Sequence, residues 1–357
     1  MIFHYGDNLK LSIFGASHAP EIGMELDGIP FGLPVDMVAL QCFMDRRAPG
    51  QQPWATSRKE GDVPYFQSGL TAGCTNGQAI RAVIINENIR RGDYATQKHI
   101  PRPGHADFTA WMKYGLDFDM SGGGPFSGRM TAPMCIAGGL CKQWLEQRGI
   151  RIGAHIGCIG HIDDNRFDPL TPNLEDVQED FPVLNRASGQ QMQEAIAETR
   201  QQGDSLGGII ECAITGLPAG MGGPLFEGIE GKIAHIIYGI PAVKGVEFGL
   251  GFALSGYHGS KANDPYAVKD GRIIATSNQC GGILGGISTG MPIIFRVAFK
   301  PTPSISMPQA SVNMATMEEV TMEINGRHDP CIVPRAVPVV EAAAAIAIFD
   351  LILGESV

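Results

Sequence analysis

Ala336-Val337-Pro338-Val339-Val340-Glu341-Ala342-Ala343-Ala344-Ala345-Ile346-Ala347-Ile348-Phe349-Asp350-Leu351-Ile352-Leu353 is the most apolar stretch of the 357-residue chain. Pro338, Glu341 and Asp350 interrupt it, which argues for a helix buried in a globular core and against a membrane span. The pattern, begun at Arg335, predicts a helix over 335–353. Periodicity with start and stop signals predicts further helices over 35–47, 132–147 closed by Gly149, 189–202 closed by Gly203, and 225–238. Strand-like runs fall at 10–14, 23–26, 79–85, 150–157, 208–215 and 293–299. Few of these helices sit between adjacent strands in the alternation that a doubly wound parallel sheet requires. The expected class is therefore α+β with antiparallel sheets.

Composition bounds the rest. Hydrophobic residues make up 44% and charged residues 18%, ample for a core and unlike a disordered chain. No linker offers a cut, so a single domain over 1–357 is expected. Lys+Arg of 27 against Asp+Glu of 37 gives a net charge of -10, which repels a nucleic-acid backbone or an anionic membrane; neither is an expected partner. The eight cysteines form no Cys-x-x-Cys pair and no metal spacing with histidine. They read as reduced, mostly buried thiols of a cytoplasmic protein without a metal site. Met1 to Asp7 lacks a basic region followed by an apolar stretch, so no signal peptide is expected.

Glycine, 47 residues or about 13%, is roughly double its usual share of about 7%. It gathers at 121–124, 245–259 and 281–286, where a flat cofactor or a phosphate can approach the main chain. None of these clusters is a Walker A motif or a clear Rossmann fingerprint. Three Gly/Pro-flanked segments carry titratable groups: Phe14-Gly15-Ala16-Ser17-His18, Arg102-Pro103-Gly104-His105-Ala106-Asp107 and Gly326-Arg327-His328-Asp329-Pro330. A lone histidine is more often structural, and Asp-Pro is also a common turn initiator. Two histidines in rigid turns, with Arg102 and Arg327 beside them, point to proton transfer around an anionic ligand. Arginines in turn-rich stretches (46, 47, 58, 102, 129, 327) suit a small phosphorylated or carboxylated ligand within an acidic protein. Lys300-Pro301-Thr302-Pro303-Ser304 is a rigid turn bearing a cation and hydroxyls. Histidines 4, 99, 155, 161, 235 and 258 have no such setting and read as structural.

Together these segments resemble the chorismate synthase family nearly end to end. The resemblance adds Asp45-Arg46-Arg47, Gly122 to Gly124 with Arg129, Gly203-Asp204-Ser205, Ala242 to Glu247, Gly281 to Ser288 and Val333 to Pro338. It implies an antiparallel β/α sandwich with buried helices between sheets, assembled as a homotetramer. It further implies an anti 1,4-elimination of phosphate from 5-enolpyruvylshikimate 3-phosphate to give chorismate, dependent on reduced FMN, in the shikimate pathway.

By the same resemblance His18 protonates the leaving phosphate and His105 stands beside the flavin ring. Asp329 works with flavin N5, the atom that takes the C6 proton. Arg47, Arg102 and Arg129 surround the substrate. FMN contacts fall on Pro125, Phe126, Ser127, Pro241, Ala242, Gly285, Lys300, Pro301, Thr302, Pro303, Ser304 and Arg327. The sequence departs from the family's usual pattern at Ala16 (usually Glu), Pro53 (usually Arg), Pro125-Phe126 (usually Arg-Ser) and Pro303 (usually Ser). These departures leave two other readings open: an elimination on another anionic substrate, and a catalytically silent flavin-binding or assembly protein. Whether the chain reduces its own flavin with NAD(P)H or relies on an external flavin reductase is also open.

Overall fold

The computed structural model describes residues 1–50, 54, 61–86, 99–324 and 328–355. Two five-stranded sheets, each antiparallel, enclose a layer of helices. The first contains β1 (Ile2–Tyr5), β2 (Lys10–Gly15), β3 (Glu21–Asp27), β4 (Tyr65–Ser68), and, after a small ribbon of β5 (Leu70–Thr71) and β6 (Cys74–Thr75), β7 (Ile80–Ile85). Its order is β1-β2-β3-β7-β4, with Ile13 opposite Met24 and Met24 opposite Ala82. The second sheet combines β8 (Arg151–Ile159), β9 (Ile162–Asp163), β10 (Gly208–Thr215) and β11 (Val243–Phe248). Three two-stranded ribbons follow, β12 (Tyr266–Lys269) with β13 (Arg272–Ala275), β14 (Ile283–Leu284) with β15 (Ile287–Ser288) and β17 (Gln309–Asn313) with β18 (Glu318–Met322), while β16 (Ile293–Phe299) completes the second sheet. The second sheet runs β11-β16-β10-β8-β9.

The helices are α1 (Met37–Arg47), α2 (Asp107–Tyr114), α3 (Thr131–Glu146), α4 (Arg186–Gln201), α5 (Ile229–Ile237), the single turn α6 (Gly259–Ala262) and α7 (Val333–Gly354). α3 packs on β3 and β7, α7 packs on β8 and β10, and α3 and α7 pack on each other, so both sheets close over one helical layer. Gly138 permits this: a Cβ there would fall 2.3 Å from Cα of Ala342, so the two backbones meet directly.

The apolar stretch forms α7, and the charges that interrupt it become its anchors. By length and apolarity alone α7 could cross a membrane, but 89% of its most apolar 18-residue window is buried inside the protein. Glu341 accepts two bonds from Arg46, at 2.9 and 2.7 Å, and one from Lys142 at 2.7 Å, tying α7 to α1 and α3. Burial alone would raise its pKa. Arg46 and Lys142 more than offset that and bring it down to about 2. Asp350 accepts from the main-chain N–H groups of Asn8 (2.7 Å) and Leu9 (2.8 Å), fixing the turn between β1 and β2.

The expected helix over 225–238 is shorter. Leu225–Glu227 is a 3-10 turn with Leu225 at φ +55°, and Gly228 then caps α5 in extended conformation. Of the eight thiols five are buried, Cys74 and Cys280 are half-buried, and Cys42 is exposed on α1.

Candidate active site

A cavity of about 900 Å³ opens between the turn after β2, the glycine turn at 121–126, the start of α2, the end of β16 and the start of α7. His18, His105 and Asp329 all line it, and so do Arg47, Arg102 and Arg129. Its wall also includes Pro125, Phe126, Ser127, Pro241, Ala242, Lys300, Thr302, Pro303 and Ser304. Two expected contacts do not line it. Pro301 turns toward Gly207, where a Cβ would meet its ring nitrogen at 2.9 Å. Gly285 lies at the tip of the β14–β15 hairpin with nothing within 4 Å of its Cβ position, beside the start of α5. Arg327 lies outside the described residues, as do Pro53 and Arg58.

The glycine turn sets the two imidazoles. Gly122, Gly123 and Gly124 all have positive φ, at 61°, 88° and 52°. A Cβ on Gly122 would overlap the His18 ring, and one on Gly123 would sit 3.4 Å from His105 Nε2. The Ser17 N–H donates to the Gly124 carbonyl at 3.2 Å and locks the His18 turn onto this strip. Only glycine supplies both the backbone conformation and the room.

His105 belongs to a compact charge cluster at the start of α2. Arg102 donates through Nε to Asp107 Oδ2 (2.6 Å) and through Nη2 to Oδ1 (2.8 Å), and its Nη1 reaches Ser304 Oγ at 3.3 Å. His105 Nδ1 lies 2.7 Å from Asp107 Oδ1. Arg102 Nη2 lies 3.0 Å from the same Nδ1 but already donates to Asp107 Oδ1, and the closer ionised carboxylate only accepts, which assigns the ring proton to Nδ1 and leaves Nε2 for a ligand. Burial lowers the His105 pKa, helped by Arg102 and Lys300 and opposed by Asp107, with a net result below the ordinary histidine value. Asp107 is held well below the usual carboxylate range: burial pushes it up, and the bonds from Arg102 and His105 outweigh that.

A second cluster joins the other two arginines. Asp62, whose side chain is fully buried, pairs through one oxygen with Arg47 and through the other with Arg129. Arg47 also donates to Thr131 Oγ1 (3.1 Å) and the Gly128 carbonyl (2.9 Å), while Arg129 Nε donates to Asn86 Oδ1 (3.2 Å). Arg335 pairs with Asp329 and donates through Nε to the Arg47 carbonyl at 3.0 Å.

The Lys300–Ser304 turn and Ala242 form the opposite wall. Lys300 donates to the Gly104 carbonyl, and burial followed by the neighbouring Lys244 lowers its pKa, a setting that favours an anion close by. Thr302 Oγ1 and His328 Nε2 are buried without a hydrogen-bond partner among the described residues. Ala242 holds φ +74°, a left-handed conformation costly for any residue with a Cβ, and its carbonyl accepts from the Lys300 N–H at 3.0 Å. Unmade polar bonds, a basic turn and close main chain together fit a flat anionic cofactor.

Sequence reasoning assigned no role to Asp62, Asp107, Arg335, His328 or Lys244. Asp107 was legible two residues from His105 in the same quoted motif; Asp62 carried no signal. His4 and His235, read as structural, also line the cavity, whereas His155 is fully buried between Asp164 and Glu211.

A family model described as "Chorismate synthase" matches residues 9–353. Similar relatives include the chorismate synthases of Lancefieldella parvula, 45% identical over 97% of this chain and 95% of that protein, and of Thermococcus kodakarensis, 42% identical over 98% and 97%. The fold matches a crystal structure of chorismate synthase with a TM-score of 0.78 at 27% identity, covering 98% of this chain and 93% of that one. With a matching model across almost the whole sequence and full-length relatives, the chain belongs to the chorismate synthase family and, with it, to the lyases.

Proposed function

We propose that this chain eliminates phosphate from 5-enolpyruvylshikimate 3-phosphate in an anti 1,4 sense to give chorismate, and that it does so with reduced FMN. The observation that carries the reading is the convergence of His18, His105 and Asp329, from opposite ends of the sequence, on one arginine-lined cavity. Arg47, Arg102 and Arg129 bind and orient a ligand with three anionic groups, as planar guanidiniums suit carboxylate and phosphate oxygens. His18 donates a proton to the departing phosphate oxygen. Asp107 keeps His105 in one tautomer, with Nε2 left to meet a bound cofactor ring. Asp329, held by Arg335, would act with the flavin in removing the proton that the substrate loses from C6. Thr302 Oγ1, Ser304, Lys300, Ala242 and Ser127 would hold the FMN. Bound and reduced, it would supply electron density for the elimination with no net redox change.

Phe226, Phe252, Val268 and Ile273 are each at least 75% exposed, apolar surface that suits burial between copies in a homotetramer. The setting is cytoplasmic, with reducing equivalents supplied by NAD(P)H or an external flavin reductase. Purified protein with chemically reduced FMN and 5-enolpyruvylshikimate 3-phosphate, kept anaerobic, tests the reading. Phosphate release matched by chorismate absorbance supports it. Flavin binding without turnover points to another anionic substrate, and no flavin-dependent activity on any enolpyruvyl phosphate points to a silent binding protein.

A further inference from the structure

We propose that Asp62 is a positioning residue for the substrate, holding Arg47 and Arg129 so that the two guanidiniums meet the phosphorylated ligand as one rigid unit. The inference rests on the reading of those arginines as substrate contacts. It goes beyond that reading in giving the binding wall a single internal carboxylate as its organiser.

Geometry carries the argument. Each Asp62 oxygen takes a different guanidinium, and the side chain is fully buried, so neither bond is shared with water. Arg47 is fixed on its other edges by Thr131 and Gly128, and Arg129 by Asn86. Asn86 in turn donates to the Ala19 carbonyl at 2.7 Å, on the turn that carries His18. On the far side Arg335 joins the Arg47 carbonyl to Asp329. One line of polar contacts thus runs from the His18 turn to Asp329, with Asp62 at its middle.

Charge agrees with this arrangement. Two like charges side by side in a poorly hydrated wall repel, and one carboxylate between them cancels most of that while leaving a net positive face for an anion. Burial pushes the Asp62 carboxyl up, but Arg47 and then Arg129 outweigh it, so the group stays ionised. The Asp62 backbone sits at φ +45°, a left-handed conformation that aspartate tolerates better than most residues with a Cβ.

Steady-state phosphate release by the flavin-loaded wild type, Asp62→Asn and Asp62→Glu proteins, each also melted by circular dichroism, tests the proposal. The expected result is a KM for the phosphorylated substrate raised at least about 10-fold in Asp62→Asn and by a smaller factor in Asp62→Glu, with kcat changing less than KM in both. Charge alone predicts the opposite sign, since losing a carboxylate tightens anion binding. A folded Asp62→Asn with KM at or below the wild-type value therefore overturns the proposal. If Asp62→Asn does not fold, Asp62→Glu decides: a raised KM supports positioning and an unchanged KM overturns it. A wild type without turnover counts against the functional reading and not against Asp62. Calorimetric binding of inorganic phosphate to the same proteins then carries the test, with affinity about 10-fold weaker in the folded variant supporting the proposal and equal or tighter affinity overturning it.

Discussion

Gly122 lies directly against His18: a Cβ on the glycine would fall 2.0 Å from the imidazole Cε1 and 2.2 Å from Nδ1. No shift of a flexible chain end relieves that overlap, because the ring is short and its turn is bonded to Gly124. Gly122→Ala is expected to cost about 1–2 kcal/mol of backbone strain at φ +61°. Displacing the imidazole by about 1 Å is expected to lower turnover by about 10²-fold. Comparing phosphate release with thermal melting checks this, since a variant that melts like the wild type and turns over at the wild-type rate contradicts the role given to the turn.

His18→Ala and His105→Ala should each slow turnover by about 10²-fold or more, the usual contribution of a positioned acid or base. Single-turnover phosphate release with pre-reduced flavin measures it without interference from product release. Near-wild-type rates in both reject the assigned roles.

Asp107→Asn tests the source of the His105 tautomer. In the wild type burial, Arg102 and Lys300 lower the ring pKa and the Asp107 bond raises it, so the free enzyme should show His105 titrating below 6.5. Removing the one raising influence moves that titration further down. NMR of the ring carbon-bound protons reads it directly; an upward move contradicts the arrangement.

Glu341 makes a prediction about acid stability. Its folded pKa of about 2 lies below its ordinary 4.5, so the stability it contributes is complete above pH 4.5 and is lost as the pH falls toward 2. The shift corresponds to about 3 kcal/mol. Glu341→Gln leaves the partly exposed Arg46 and the half-buried Lys142 without their carboxylate, so urea unfolding should find it about 2–3 kcal/mol less stable at neutral pH. The gap from the wild type should narrow between pH 4.5 and 2. A gap independent of pH means that the carboxylate is not the group that matters.

Much of this site is legible because its chemistry sits in rigid turns: Arg102, His105 and Asp107 occupy six consecutive positions and contact one another. The long elements were legible because α3, β10 and β16 have the near-continuous apolar runs that burial on both faces produces. What escaped depends on contacts between distant parts of the chain. Asp62 stands 67 residues from Arg129, in a stretch with no turn signature pointing at the cavity. β1 and β11 are edge strands in which only Val243 is buried, so no apolar alternation marks them. α2 is only eight residues long, too short for a clear helical period. Gly285 shows the converse, a motif whose likeness is plain in sequence but which stands apart from the cavity within one chain.

The most direct test of the central claim is a crystal structure of the protein with FMN and 5-enolpyruvylshikimate 3-phosphate. The account predicts the flavin ring against His105 and the Lys300–Ser304 turn, with the substrate phosphate among the arginines and within hydrogen-bond reach of His18. Flavin or substrate bound outside this cavity, with His18 and Asp329 contacting neither, would contradict it.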